Sequence, residues 1–414
     1  MATDRLLECL SEMENNFSIQ VIGDESEPAY NRIMLSSVLA TEKSAADIQL
    51  KQAAWYKKQD ISIAYGDPVV DIDLDNQQVT TKSAQPYFYD KLVFATGSRA
   101  SLPNIPGSNH ESVRCFRNMQ DVDFLLKASA NIKSIAIVGG GLLGLEAAHG
   151  MNLAGVQVHL VHRRNYLMNR QLDLRAGQLL QKQLEDRGIQ FYMGKQPQAV
   201  NTKKSIQLLL DDGSHIEADL VIFAAGITPN KEIAETAGID CNRAICVDDA
   251  MQTNATNVFA IGECTEHQNR TLGLVAPVND QAKVLAENLL DLKSTYQYQQ
   301  SSTVLKVSGI EMFSAGKLGD DKLDTCERNT DKQSTEQELQ IEDPDFGLYR
   351  HLRISDNKLK SAVLLGDKRS GSWYEQLIEN QQDISQLIPE IIFGRDYCQT
   401  QGDQSNSQVV EVIQ

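Results

Sequence analysis

A chain of 414 residues is long enough for about two or three domains, each with its own core. Its 41% hydrophobic and 23% charged residues are ordinary for a globular protein, and no apolar stretch approaches a membrane span, so a cytoplasmic protein with no membrane partner is expected. The net charge of −17 repels phosphate over most of the surface and excludes nucleic acid as a general partner, while leaving room for a local basic patch that meets an acidic protein. Seven cysteines, scattered singly and without a C-x-x-C pair, read as reduced thiols rather than a disulfide framework. Cys241 and Cys246 have a spacing that invites a redox disulfide, but Cys246 lies in the apolar run Ala244-Ile245-Cys246-Val247, which reads as a strand.

In chain order, residues 4–14 carry Leu6, Leu7, Leu10 and Met13 at helical spacing. Residues 17–23 follow as a strand, with Asp24 and Glu25 at its end. Helix, strand and acid make the second half of a dinucleotide-binding unit; the first strand and glycine loop of such a unit do not precede them in the sequence. Short strands come next, among them residues 79–82 and 91–98, and then Pro103, Pro106 and Gly107 mark a linker.

The apolar run Ile135-Ala136-Ile137-Val138 reads as a buried parallel strand, and Gly139-Gly140-Gly141-Leu142-Leu143-Gly144 follows it. A helix over 142–154, closed by Gly155, and a strand over 156–161 complete the unit. That strand–loop–helix–strand context gives G-x-G-x-x-G its meaning. One glycine allows the tight turn, one lets backbone approach a pyrophosphate, and one lets helix pack closely on strand. The free N–H groups at the helix start then meet phosphate charge. This domain continues to about Arg243, with a hairpin turn at Asp211-Asp212-Gly213-Ser214 and an apolar strand in 220–226. The chain returns to its first domain at 258–263, and a helix is expected from Val278 to about Leu290, begun by Pro277. Residues 317–345, polar and poor in large apolar side chains, read as a loop. A small third region covers 349–393, and the Gln- and Ser-rich tail after Cys398 reads as unstructured.

An ordered set of segments now stands out: Glu27-Pro28-Ala29-Tyr30-Asn31-Arg32 with Leu35-Ser36, Ala95-Thr96-Gly97-Ser98, the Gly139 loop, and Ala225-Gly226-Ile227-Thr228-Pro229-Asn230. Ala260-Ile261-Gly262-Glu263-Cys264, Gly273-Leu274-Val275-Ala276-Pro277 and Leu305-Lys306-Val307-Ser308-Gly309 complete it. Together they resemble the two-dinucleotide-fold flavoprotein reductases. Within these the likeness is to the FAD and NAD(P)H module of the assimilatory nitrite reductase large subunit and of the nitrate reductase electron-transfer subunit.

The resemblance implies an α/β protein with two Rossmann-like dinucleotide-binding domains, glutathione-reductase-like, plus a small α+β C-terminal domain. It implies an N-terminally truncated FAD-binding domain at 1–113 and 244–296, an NAD(P)-binding domain at 114–243, a C-terminal domain at 297–397 and a flexible tail at 398–414. FAD and NAD(P)H are the implied cofactors. Asp24 would accept hydrogen bonds from the FAD adenosine ribose, with Glu25 as the adjacent alternative, and Glu263 would bind a ribityl hydroxyl. Arg32 and Ser36 would line the flavin, and Thr96 and Gly97 would sit where the chain crosses near it. The helix of Pro277 would aim its N-terminus at the flavin, stabilising negative charge there.

For the second nucleotide, Gly139, Gly141 and Gly144 form the loop, Glu146 would face the nicotinamide pocket, and Gly226 joins the same set. His162, Arg163 and Arg164 stand where an NAD-selective site carries an acid, so pairing with a 2′-phosphate, and hence NADPH, is the expectation. The implied partner is an electron-acceptor protein: a nitrite or nitrate reductase subunit, or else a ferredoxin or rubredoxin. The third region would dock that acceptor or form a homodimer.

The sequence opens where the resemblance would have the FAD pyrophosphate loop finishing. The expectation is a true start upstream of Met1, the alternatives being weak FAD binding or a flavin-free NAD(P)-binding module. The iron–sulfur and sirohaem regions of the long nitrite reductase subunit do not follow Cys398, so nitrite reduction by these residues alone is not expected.

Overall fold

The computed structural model describes residues 1–202, 205–298, 303–307, 309–316 and 336–400. The chain divides into two compact units: Met1–Lys133, Leu153–Val156 and Asp219–Gln299 in the first, and Ser134–Asn152, Gln157–Ala218 and Gln300–Gln414 in the second.

In the first unit the helix Ala2–Ser11 buries Leu6, Leu7 and Leu10 of the expected stripe together with Cys9, while Met13 lies beyond its end. Strand Ile19–Ile22 pairs in parallel with Ile61–Ala64, and Leu92–Phe94 pairs in parallel with Val258–Ala260. Helix Val275–Leu289 packs Ala282, Leu285, Ala286 and Leu289 into one core with Leu6, Leu10, Phe259 and Ile261. That helix begins three residues earlier than the sequence suggests, with Leu274 as an extended N-cap. Pro277 is its third residue, where a missing N–H costs nothing because first-turn N–H groups have no partner within the helix. Helix Met119–Ser129 opens on a capping box in which Asn118 accepts from the Asp121 N–H and the Asp121 carboxylate accepts from the Asn118 N–H.

In the second unit Ser134–Val138 pairs in parallel with Gln157–His162, which pairs in parallel with Gln190–Met193. Ile135 to Val138 are all buried, as a strand covered on both faces requires. Helix Leu142–Leu153 buries Gly144, Leu145, Ala147, Ala148 and Met151. The turn at Asp211–Ser214 closes the hairpin of Gln207–Leu210 and His215–Glu217, with Gly213 at φ +83° and the Leu210 N–H donating to the Ser214 carbonyl at 2.9 Å.

The rest of the second unit is a five-stranded antiparallel sheet in the order Thr303–Val307, Ile310–Gly316, Lys358–Leu365, Leu348–Ser355, Gln337–Asp343. Helix Gly371–Glu379 lays Tyr374 and Leu377 on Phe313, Leu352 and Leu364. Two expectations are corrected here. Gln337–Asp343, inside the polar stretch read as a loop, is an edge strand. An edge strand needs few apolar residues; Leu339 packs on the core and its neighbours face water. Residues 317–335 of that stretch lie outside the described residues. Beyond Cys398 the chain is still helical, in Arg395–Thr400, while 401–414 are outside the described residues.

Cys241 and Cys246 are free thiols, and burial pushes the Cys241 thiol up to about 11, so it is protonated at neutral pH.

Asp173 joins the C-terminal sheet to the parallel-sheet part of the second unit. It caps helix Leu174–Glu185 by accepting from the Ala176 N–H at 2.9 Å. The same carboxylate accepts from the Tyr349 hydroxyl at 3.1 Å and lies 3.1 Å from His351 Nδ1. We expect Asp173→Ala to cost about 2–3 kcal/mol in thermal or denaturant unfolding, since a cap and a charged acceptor go together. Arg175 and Glu342 form a solvent-facing ion pair between the same parts, and Arg175→Ala is expected to cost less than about 1 kcal/mol.

Candidate dinucleotide sites

The first candidate site lies within the first unit. Strand Ile19–Ile22 ends at Gly23, and Asp24 is exposed beyond it while Glu25 is half-buried. The two acids differ in what they already hold. The Tyr30 hydroxyl donates to one Glu25 oxygen at 2.5 Å, and the Arg32 guanidinium pairs with the other. Burial pushes the Tyr30 phenol far above its ordinary pKa, so it stays a donor, while its oxygen accepts from the Met119 N–H at 3.2 Å. Glu25 is therefore occupied, and Asp24 is the open carboxylate at the strand end.

Arg32 stacks over the Tyr30 ring, 5.0 Å from its centroid, and donates to the Arg117 carbonyl at 3.3 Å. The Arg117 side chain in turn donates to Ser98 Oγ at 2.8 Å and pairs with Glu263, which also accepts from Ser98 Oγ at 2.7 Å. Gly262 brings Glu263 to the start of the first helix: its φ is +89°, and a Cβ there would lie 3.1 Å from the Ala2 Cβ. Its N–H donates to Oε1 of the fully buried Gln281 at 2.8 Å.

Thr96 and Gly97 are held by Asn230. Thr96 Oγ1 donates to the Asn230 carbonyl at 2.7 Å, Asn230 Nδ2 donates to the Thr96 carbonyl at 2.8 Å, and the Asn230 N–H donates to the Gly97 carbonyl at 3.0 Å. Gly97, at φ +62°, makes the turn. Pro277 stands in the first turn of a helix with no side-chain cap, so N–H groups there are available to an anion. Ser36 is half-buried in helix Leu35–Leu39 and has no hydrogen bond to the Glu25–Arg32–Arg117–Glu263 cluster.

The second candidate site lies within the second unit. The Gly139 N–H donates to the Val161 carbonyl at 2.9 Å, and the Gly140 N–H donates to His162 Nδ1 at 3.1 Å. Burial holds the His162 pKa below its ordinary value, so the imidazole is neutral and Nδ1 is an acceptor. A Cβ on Gly140 would lie 2.7 Å from His162 Cγ and 2.8 Å from a Leu167 methyl, whereas one on Gly141 would meet nothing within 4 Å. Gly144 and Glu146 are buried on the helix that follows, and Arg163 and Arg164 are exposed just past His162. Gly226, at φ +140°, belongs to the first unit, where its carbonyl accepts from the Ser101 N–H at 3.0 Å.

Both sites fit a dinucleotide. The loop has a crowded glycine under a histidine and an open one beside it, and in the first site Arg117 Nε is buried with no partner, leaving one donor for a ligand. Two residues carry no sequence signal of their role. Nothing local singles out Gly140 from the glycines on either side, and Arg117 has no motif beyond preceding the Asn118 cap.

Residues 7–282, more than half of the chain, match the family model described as pyridine nucleotide-disulphide oxidoreductase. The chain belongs to this family. Residues 302–382 of this oxidoreductase also match the C-terminal domain of rubredoxin NAD+ reductase. It is 39% identical over 381 residues to the nitrite reductase [NAD(P)H] of Bacillus subtilis, covering 92% of this chain and 46% of that one. It is 38% identical over 392 residues to the assimilatory nitrate reductase electron transfer subunit of the same organism, covering 93% and 49%. The chain thus spans about half the length of these curated relatives. Among solved structures, NADH:rubredoxin oxidoreductase from Clostridium acetobutylicum matches with a TM-score of 0.72 and 25% identity, covering 97% of each chain. The fold is that of FAD- and NAD-dependent pyridine nucleotide oxidoreductases, and the family implies FAD and NAD(P)H as cofactors. Among the described residues no helix is long and apolar enough to cross a membrane.

Proposed function

We propose that this oxidoreductase is a cytoplasmic electron-transfer module that uses FAD and NAD(P)H to reduce a separate protein, the acceptor being a nitrite or nitrate reductase component. The observation that carries this reading is the pairing of a flavin-type carboxylate cluster around Glu263 with a separate glycine loop under His162. Bound FAD would supply the chemistry, taking a hydride from NAD(P)H and releasing electrons singly. The protein supplies binding and orientation. Asp24 accepts from the adenosine ribose, Glu263 accepts from a ribityl hydroxyl, and the free N–H groups at the start of the Pro277 helix offer positive potential to the flavin. Residues 1–113 and 244–296 form the FAD-binding domain in this reading, 114–243 the NAD(P)-binding domain and 297–397 the C-terminal domain. A second reading, reduction of a rubredoxin, is favoured by the match of residues 302–382.

The deciding experiment is the visible absorbance spectrum of the purified chain with added FAD, followed by anaerobic NADPH. A flavin band that stays with the protein and bleaches is expected. A chain that retains no flavin at any FAD concentration sinks the reading in favour of a flavin-free nucleotide-binding module. Turnover with purified rubredoxin against a nitrite reductase component then separates the two acceptors.

A further inference from the structure

We propose that Tyr349 and His351 of the C-terminal sheet are positioning residues of the second nucleotide site, acting on its glycine loop through the Asp173 carboxylate and the segment between His162 and Asp173. This rests on the nucleotide reading of that loop given above. Strand Leu348–Ser355 turns Leu352 toward helix Gly371–Glu379, and Tyr349 and His351 face the other way, toward Asp173. The Tyr349 hydroxyl lies 3.1 Å from each Asp173 oxygen, and His351 Nδ1 lies 3.1 Å from Oδ2. Tyr349 is buried, and the His351 side chain is only 14% exposed. Burial, reinforced by the Asp173 charge, pushes the Tyr349 phenol far above its ordinary pKa, so it stays a donor. A carboxylate only accepts, so Nδ1 of His351 carries the proton that faces it.

Asp173 is placed to pass that hold on. It caps helix Leu174–Glu185, and Gly177 in the opening turn of this helix presses on the segment before it. A Cβ on Gly177 would lie 2.7 Å from the Leu167 carbonyl oxygen and 2.8 Å from Tyr166 Cδ2, so no gap separates them. Leu167 and Met168 in turn meet the glycine loop. The Leu167 methyl fills the space where a Gly140 Cβ would stand, and the Met168 N–H donates to the Gly140 carbonyl at 2.9 Å. Met168 has φ +54°, a conformation that a residue with a side chain keeps only where its surroundings impose it. Leu167, Met168 and Leu172 are buried, so the helix start cannot shift without carrying them across Gly140. The Arg175–Glu342 pair joins the same parts but faces solvent and is screened, which leaves the Asp173 contacts as the firmer hold. Every step of this path lies within the second unit.

The test is nucleotide affinity beside thermal stability in the whole chain, with NADPH and 2′,5′-ADP titrated into wild type, Tyr349→Phe, His351→Ala and His351→Asn. Neither titration requires flavin. We expect Tyr349→Phe and His351→Ala each to raise both dissociation constants about two- to thirty-fold, the usual reach of a change carried through packed neighbours. His351→Asn puts an amide donor where the Nδ1 proton stands and should restore wild-type affinity. Asp173→Asn keeps a good helix cap but loses the charge, and combined with Tyr349→Phe it should fall short of the sum of the two. A role in packing alone would lower the unfolding temperature of Tyr349→Phe and His351→Ala and leave affinity at wild-type values; that result overturns the proposal. It is overturned equally if His351→Asn binds no better than His351→Ala, or if Asp173→Asn and Tyr349→Phe are fully additive. Should His351→Ala not fold, Tyr349→Phe decides, and wild-type affinity in that variant overturns the role. A wild-type chain that binds neither ligand removes the nucleotide reading and this role with it, whereas wild-type binding with unmoved variants removes this role alone.

Discussion

Gly140→Ala is expected to abolish pyridine-nucleotide binding and to lower stability, while Gly141→Ala lowers binding alone. Neither glycine has a positive φ, so the contrast is one of space rather than backbone strain. A methyl group at Gly140 would sit 2.7 Å from His162 Cγ and 2.8 Å from Leu167. Both neighbours are buried and cannot swing into water. Forced overpacking of this kind costs about 1–3 kcal/mol. It also pushes His162 off the Gly140 N–H, which His162 Nδ1 accepts at 3.1 Å, and so deforms the loop at the point where it turns into the helix. At Gly141 the added methyl meets no protein atom within 4 Å, so stability should stay within about 0.5 kcal/mol of wild type. The methyl would instead occupy the space through which a pyrophosphate approaches the backbone. Thermal unfolding and titration with NADPH, run on both variants, check the two effects separately. Wild-type affinity in Gly140→Ala, or lost stability in Gly141→Ala, would contradict this account of the loop.

The same loop shows what could be read in advance. Four consecutive buried residues, Ile135 to Val138, with a glycine run behind them announce a parallel strand entering a nucleotide loop, because the pattern is local. The Asp211–Ser214 turn was legible for the same reason. Which glycine is crowded is not local: His162 lies 22 residues further on and meets Gly140 only after the second strand is in place. Arg117 and Glu263 are 146 residues apart, and nothing in the neighbourhood of either names the other. The edge strand Gln337–Asp343 hid for another reason. A sheet edge needs only one packed face, so its composition is that of a loop. The helix starts at Val275 rather than at Pro277 because any first-turn position tolerates proline, so the residue alone does not say which of them it fills.

NADPH is expected to be preferred over NADH, and Arg163→Ala with Arg164→Ala should erase the preference. The strand Gln157–His162 ends in a buried, neutral histidine rather than in an acid, and two exposed arginines follow. A ribose 2′-hydroxyl thus finds no carboxylate at the strand end, whereas a 2′-phosphate finds guanidinium groups suited to bidentate pairing. One or two charged hydrogen bonds correspond to about ten- to a hundred-fold in affinity. The double variant should lose about that much for NADPH and little for NADH. Binding of 2′,5′-ADP against 5′-AMP measures the same contrast without any flavin. Acidification gives an independent arm. A phosphate monoester loses its second charge near about pH 6, so the NADPH advantage should shrink below that. Binding of both nucleotides should weaken only at still lower pH, because burial depresses the His162 pKa and the imidazole keeps accepting the Gly140 N–H after an ordinary histidine would have been protonated. An equal response of NADPH and NADH to the arginine substitutions would mean that Arg163 and Arg164 serve the nucleotide generally, and the missing acid would then select nothing.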